Sequence, residues 1–251
     1  MDCELLLGDA RALLPTMESG SVDFVFADPP YFLSNDGFTV NSGKAVSVNK
    51  GDWDKSMGFA QDVAFHRTWI SECLRLLTKD GTIAISGTYH SIYQCGFILQ
   101  ELGCRILNDI IWFKPNGSPA LGRRNFTASH ETILWASKGT SAHHTFHYQE
   151  SKDWPTGTDS LKRAGKQMRS VWRIPTTPSR EKLRGKHPTQ KPLGLMHRLI
   201  ALCTDPNDRI LDPFCGSGTT AVAALGLGRR FIGIDVDQAC LDLTRSRLGD
   251  L

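Results

Sequence analysis

Apolar positions along the chain follow two patterns: short continuous runs bounded by turn residues, and recurrences every three to four residues. The runs "CELLLG" (3–8), "SVDFVFA" (21–27), "KDGTIAIS" (79–86), "CRILNDIIWFK" (104–114), "HETILWASK" (130–138), "DRILD" (208–212) and "RRFIGID" (229–235) read as strands. The recurrence Phe65, Trp69, Cys73 and Leu76/Leu77 predicts a helix with one face on a core. "HSIYQCGFILQEL" predicts a second helix, closed by Gly103. "DARALLPTM" reads as a short helix or turn, and further helices are expected at "LGLMHRLIALC", after "GSGTT" and at "DQACLDLTRSRL". Strand and helix alternate, which predicts an α/β fold with a doubly wound, largely parallel sheet. The runs at 104–114 and 130–138, joined by "PNGSPALGRRNFTAS", read as an antiparallel pair.

Two stretches break the alternation. Asn35–Gly58 is rich in Gly, Asn and Ser and reads as one long loop, a length more often functional than filler. Residues 140–186 show little periodicity and read as an inserted surface module rather than core. Charge sharpens that picture. From Lys138 to Lys191 there are twelve Lys and Arg against four Asp and Glu, a net of +8, so a chain of net charge +3 carries −5 elsewhere. A basic segment on an acidic domain suits a polyanion partner, or equally a solvated loop.

No apolar run approaches the roughly 18 residues of a membrane span, and "MDCELLLGDA" carries acids where a signal peptide carries positive charge. The expectation is a cytoplasmic protein. Seven scattered cysteines with no C-x-x-C argue against a disulfide framework or a zinc site. His143, His144 and His147 have no Cys close by and show no recognised ligand spacing with an acid, so no metal is expected there.

"ILDPFCGSGTTAVAALGLGRRFIGIDVD" is a strand, a glycine loop, a helix, a strand and then an acid. Gly216 and Gly218 let backbone N–H groups approach a ligand at a helix N-terminus. Asp235 ends the following strand, where a carboxylate can accept bonds from two ribose hydroxyls. No Gly-Lys-Ser/Thr follows, which excludes a Walker A loop, and a nucleoside-containing cofactor is expected. A nicotinamide enzyme normally has this loop early, so its late position argues against that cofactor. At the other end, the run "VFA" stops at Asp28, Pro29, Pro30 and Tyr31. That is either a tight turn or a rigid hydrogen-bonding edge beside an aromatic ring.

Taken together, "ADPPYFLS" first, "KHPTQKP" later and "LDPFCGSGTT" last resemble the β class of amino-group DNA methyltransferases, in that class's order of catalytic motif, target-recognition region and cofactor loop. The similarity covers nearly the whole chain. Through "ADPPYFLSNDG", "KGDWDKS" and "KHPTQKP" it is nearest to solitary and restriction-linked adenine methyltransferases, the second methyltransferase of DpnII-type systems among them. The resemblance implies a Rossmann-like sheet of the S-adenosylmethionine-dependent methyltransferase type, circularly permuted, in a single domain over 1–251 with a target-recognition region inserted at 140–186. It implies that the Asp28 carboxylate and the Pro29 carbonyl accept the two N–H groups of an exocyclic amine, that Pro30 helps to fix the backbone, and that a flipped base stacks on Tyr31.

The S-adenosyl-L-methionine site implied by the resemblance comprises Asp9 and Ala10 at the adenine, Asp28 and Phe214 near the sulfonium, and His187, Thr189, Gln190 and Lys191 at the methionine end. Asp212, Gly216, Ser217, Gly218, Thr219 and Asp235 complete it. "IIWFKPNG" and "HETILWASKG" match the segments that wall the base pocket. The implied partner is DNA, duplex or single-stranded, with no membrane; a homodimer and a cognate restriction endonuclease are left open. Adenine is favoured because N4-cytosine members more often carry Ser at the position of Asp28, and C5-cytosine chemistry is disfavoured by the lack of a Pro-Cys pair. The alternatives are an N4-cytosine methyltransferase and a catalytically degenerate DNA-binding protein. Trp53 either packs the long loop or touches DNA, and Arg123 and Arg124 are either phosphate contacts or solvated turn charges.

Overall fold

The computed structural model describes the chain except for Met1, residues 34–37, 42–43, 48–53, 118–123 and 140–142, Thr158, Lys186 and residues 250–251. In chain order the strands are β1 (Cys3–Leu7), β2 (Val22–Ala27), β3 (Phe38–Asn41), β4 (Lys44–Ser47), β5 (Leu77–Gly87), β6 (Arg105–Phe113), β7 (His130–Ser137), β8 (Val171–Arg173), β9 (Arg209–Asp212) and β10 (Arg230–Asp235). The helices are α1 (Ala10–Leu13), α2 (Phe59–Leu76), α3 (Ile92–Glu101), α4 (Tyr148–Asp153), α5 (Leu193–Cys203), α6 (Thr219–Gly226) and α7 (Gln238–Leu248).

Eight strands form one sheet in the order β1-β10-β9-β2-β5-β7-β6-β8. β7 runs antiparallel to both β5 and β6, as expected for the β6–β7 pair, and the other pairings in this sheet are parallel. Alternate residues of β2 enter opposite cores. Val25 and Ala27 pack with Trp69 and Cys73 of α2 and Ile98 of α3, while Phe24 and Phe26 pack with Leu199 of α5 and Ala224 of α6. A strand covered on both faces needs apolar residues at every position, hence the unbroken run before Asp28. Each such Val or Phe side chain contributes about 1.5–3 kcal/mol on burial.

The long-loop reading of Asn35–Gly58 is only partly right. β3 and β4 pair antiparallel there as a separate two-stranded ribbon. Two four-residue strands are too short to give a readable alternation. The surface-module reading of 140–186 also needs correction. β8 joins the sheet edge through β6, and Trp172 and Ile174 are buried against α5. A three-residue strand has no measurable period, and its partner, β6, lies some 60 residues earlier in the chain.

β9 and β2 are neighbours, but the chain leaves them in opposite directions: β9 through α6 to β10, and β2 through α2 to β5. The loops beyond their C-terminal ends therefore part, and the crevice left between them is where open α/β sheets hold ligands.

Candidate active site

On one wall of the crevice, the turn from Asp212 to Gly218 carries the chain from β9 into α6. Gly216 (φ +53°) and Gly218 (φ +70°) adopt the left-handed backbone that glycine alone takes without strain. A Cβ on Gly218 would lie 2.4 Å from the Thr244 side chain of α7. Arg247, one turn further along α7, donates to the Ser217 carbonyl (2.5 Å) and the Thr219 hydroxyl (3.0 Å), fastening the loop from behind. The Gly216 N–H donates to Asp235 Oδ2 (2.7 Å), and Asp237 N–H donates to Oδ1 (2.9 Å). The carboxylate expected to hold ribose thus also shapes the loop, and a ribose would use its remaining lone pairs.

A cavity of about 460 Å³ lies against this loop. Of the residues proposed from sequence, Asp9, Ala10, Asp28, Pro30, His187, Thr189, Gln190, Lys191, Asp212, Phe214, Gly216, Ser217, Thr219 and Asp235 line it; Pro29, Tyr31 and Gly218 do not. Asp9 caps α1 by accepting from Arg11 N–H (2.8 Å) and pairs with the Arg11 guanidinium (2.6 Å). That guanidinium hydrogen bond holds the Asp9 carboxyl below its usual range, against the upward effect of burial. Phe65 packs against the core as its position predicts and also joins the cavity wall with Phe214; Trp69 backs Phe214 edge-on at 5.2 Å.

Asp212 is buried, and burial pushes its carboxyl up to about 7. The Thr220 hydroxyl (2.6 Å) and Phe214 N–H (3.0 Å) oppose that rise, while the nearby Asp28 and Asp235 carboxylates add to it. As pH rises through 7 the folded protein loses this proton. Its raised value stabilises the fold below about pH 4, and that contribution is lost by pH 7. A cation bound in the cavity has the opposite linkage. Binding of S-adenosylmethionine is expected to tighten about three- to tenfold between pH 6 and pH 8. Calorimetry should show this, with the trend flattened in Asp212→Asn. Burial lowers the His187 pKa below its ordinary value, against the pull of the Asp235 and Asp28 carboxylates.

The opposite wall begins where β2 ends. Tyr31 donates its hydroxyl to Asp28 Oδ1 (2.5 Å), and the Lys191 ammonium donates to Oδ2 (2.5 Å). The same ammonium lies 3.3 Å from Glu131, whose other oxygen pairs with Lys114 at 3.0 Å. Burial opposes the charge on Glu131, but the ammonium groups of Lys191 and then Lys114 outweigh it and hold its carboxyl at about 2. Burial and the Asp28 and Glu131 charges push the Tyr31 phenol well above its ordinary value, so it remains a donor. Behind Tyr31, the fully buried Asp54 accepts N–H bonds from Tyr31 (2.9 Å), Phe32 (2.9 Å) and Leu33 (3.2 Å). Phe32 sits at φ +57°, a strained backbone held by these bonds and by packing on Phe65 and His66.

The comparisons agree with this geometry. A profile described as DNA methylase, of the N6/N4 methyltransferase kind, matches residues 22–246. The chain belongs to the N6/N4 DNA methylase family. It is 47% identical to Type II methyltransferase M2.DpnII of Streptococcus pneumoniae, over 97% of this chain and 88% of that protein. It is 46% identical to Type II methyltransferase M2.LlaDCHI of Lactococcus lactis subsp. cremoris, with the same coverage. Among solved structures, the M1.HpyAVI–SAM complex superposes with a TM-score of 0.71 at 27% identity over 98% of each chain.

Within this DNA methylase, several residues of the constellation have no counterpart in the sequence reading. Lys114 and Glu131 sit where the apolar runs of β6 and β7 meet polar residues, a visible signal inside the two segments already matched to the base pocket. Asp54 sits in "KGDWDKS", a segment that carries the family resemblance, but nothing in that segment marks its carboxylate as a partner for the backbone after Pro30. Tyr31 is enclosed, only 6% exposed, and lies outside the cavity wall, so its ring presents no open face. Trp53 and Arg123 fall outside the described residues, and Arg124 is exposed. His147 bonds the Thr204 carbonyl and pairs with Asp205, and His144 meets Trp135 edge-on, so the two serve local packing. No helix among the described residues is long and apolar enough to cross a membrane.

Proposed function

We propose that this chain transfers a methyl group to the N6 amino group of adenine in DNA, with S-adenosylmethionine as donor. The observation that carries the reading is the placement of the Asp28 carboxylate at the end of β2, on the wall of the cavity shaped by the glycine loop. The residues present suit the donor. Aromatic rings of Phe65 and Phe214 and the acids Asp28 and Asp212 favour a cation, and Asp235 and the loop amides favour a nucleoside. When bound, S-adenosylmethionine supplies an electrophilic methyl group on sulfur.

The chain's own task is to prepare the amine. A purine amine is a poor nucleophile because its lone pair is delocalised into the ring. Acceptors at the Asp28 carboxylate and the Pro29 carbonyl draw its N–H groups out of the ring plane and free the lone pair. The prolines and the Asp54 bonds fix these acceptors in advance, so little reorganisation is needed during reaction. The attacking nitrogen gains positive charge, which an adjacent carboxylate stabilises.

DNA contact is assigned to the basic segment, where Arg163, Lys166, Arg169 and Arg180 are exposed. Lys162 is not among them: it is buried, and its ammonium donates to the carbonyls of Lys152, Arg163 and Lys166 at 2.7–2.9 Å. The Type II names of the relatives support a restriction–modification setting with a cognate endonuclease. A homodimer rests on the family resemblance alone.

Incubation of the purified protein with S-adenosylmethionine and unmethylated DNA is expected to yield N6-methyladenine on nucleoside mass spectrometry. N4-methylcytosine in its place would refute the adenine assignment, and no modified base on duplex or single-stranded DNA would favour binding alone.

A further inference from the structure

We infer that Lys191 is an exchangeable counter-ion, which holds the place of the substrate amine at Asp28 and shifts onto Glu131 when the base enters. The inference rests on the proposed role of Asp28 as amine acceptor. In the structure neither oxygen of that carboxylate is free of a donor, with Tyr31 on Oδ1 and Lys191 on Oδ2. An incoming amine must displace one of them. The Lys191 ammonium is where an amine would be expected, 2.5 Å from the carboxylate, 3.2 Å from the Tyr31 hydroxyl and 5.5 Å from the centre of the Tyr31 ring.

Moving a buried charge away from its partner ordinarily costs several kcal/mol. Here the destination is already built. Glu131 lies 3.3 Å from the same ammonium. The backbone on either side stays put, because the Thr177 hydroxyl bonds the Gln190 carbonyl (2.5 Å) and the Glu181 carboxylate accepts the Leu193 N–H (2.8 Å). Rotation of the four-carbon stem therefore suffices, with no bond made or broken and no proton transferred. Lys114 and Lys191 balance Asp28 and Glu131 before and after the move. The shift also removes a positive charge from Asp28 at the stage when the attacking nitrogen and the sulfonium need that carboxylate to themselves. Lys191 is thus a positioning residue that acts through Asp28.

The test measures kcat and KM on unmethylated genomic DNA, together with S-adenosylmethionine binding by equilibrium dialysis. Glu131→Gln removes the destination, so kcat should fall at least tenfold while the cofactor dissociation constant stays within threefold. Adding Lys191→Met should raise kcat at least fivefold above Glu131→Gln alone. Lys114→Met in the same background also restores charge balance but leaves Lys191 on Asp28, and should give no such rescue. A Lys191→Met/Glu131→Gln protein no faster than Glu131→Gln, or equal rescue by Lys114→Met, would overturn the exchange. If Glu131→Gln does not fold, Lys191→Met alone decides the matter: the KM for DNA should fall at least threefold, and a KM at or above wild type overturns the proposal. A wild-type protein with no transfer would overturn the underlying activity and the exchange with it. An active wild type with an unrescued double variant overturns the exchange alone.

Discussion

Asp28→Ala is expected to lose methyl transfer by about a thousandfold or more while still binding S-adenosylmethionine measurably. Removing one preorganised donor from a comparable site costs about 10²–10³ in rate, and Asp28 supplies both an acceptor and the negative charge opposite the developing cation. The structure makes this variant a clean one. Lys191 keeps Glu131 as a partner, and the Tyr31 hydroxyl keeps Ser86, Glu131 and Lys191 within 3.3 Å, so no buried group is stranded. The protein should therefore fold, and the glycine loop, held by Asp235 and Arg247, should be untouched. Single-turnover transfer of labelled methyl groups, beside calorimetry of cofactor binding, separates chemistry from folding. Turnover within tenfold of wild type would show that Asp28 is not the amine acceptor.

The largest loss of stability is expected for Arg198→Met. Arg198 of α5 and Asp159 form an ion pair at 2.6 Å in which both side chains are 1% exposed. The guanidinium packs between the rings of Trp154 and Trp172. Methionine can fill much of that space, but it leaves the Asp159 charge buried without its partner. Breaking such a pair costs about 3–5 kcal/mol, or roughly 6–20 °C in Tm for a chain of this size. Adding Asp159→Asn should recover more than half of the loss in thermal unfolding. The amide oxygen can still accept the Leu161 and Arg173 N–H groups that now bond Asp159, without the charge. A double variant as unstable as Arg198→Met would place the cost in packing instead.

That pair also explains why the basic segment is not a free appendage. Asp159 anchors it to α5, Glu181 accepts the Leu193 N–H at the start of α5, and β8 adds it to the sheet. None of these contacts leaves a periodic trace. Asp159 looks like any loop acid in the sequence, and Arg198 looks like the polar side of the helix "LGLMHRLIALC". The same limit applies at the acceptor edge. "ADPPY" and "KHPTQKP" are legible as motifs, yet the pairing of Lys191 with Asp28 spans 163 positions. No window on the chain contains both.

The sequence by itself determined the alternation of strands and helices, the late glycine loop, the acceptor edge and the family resemblance. Each is local: a run of apolar residues, a glycine where the backbone must turn left-handed, an acid followed by two prolines. Only the tertiary structure decided which donors and charges meet there. It set Lys191 between Asp28 and Glu131, turned Asp54 onto three backbone N–H groups, closed Tyr31 away from the cavity and raised the Asp212 carboxyl to about 7. Those properties depend on burial and on distances between elements far apart in the chain. Desolvation and Coulomb energies follow such distances, not the order of residues.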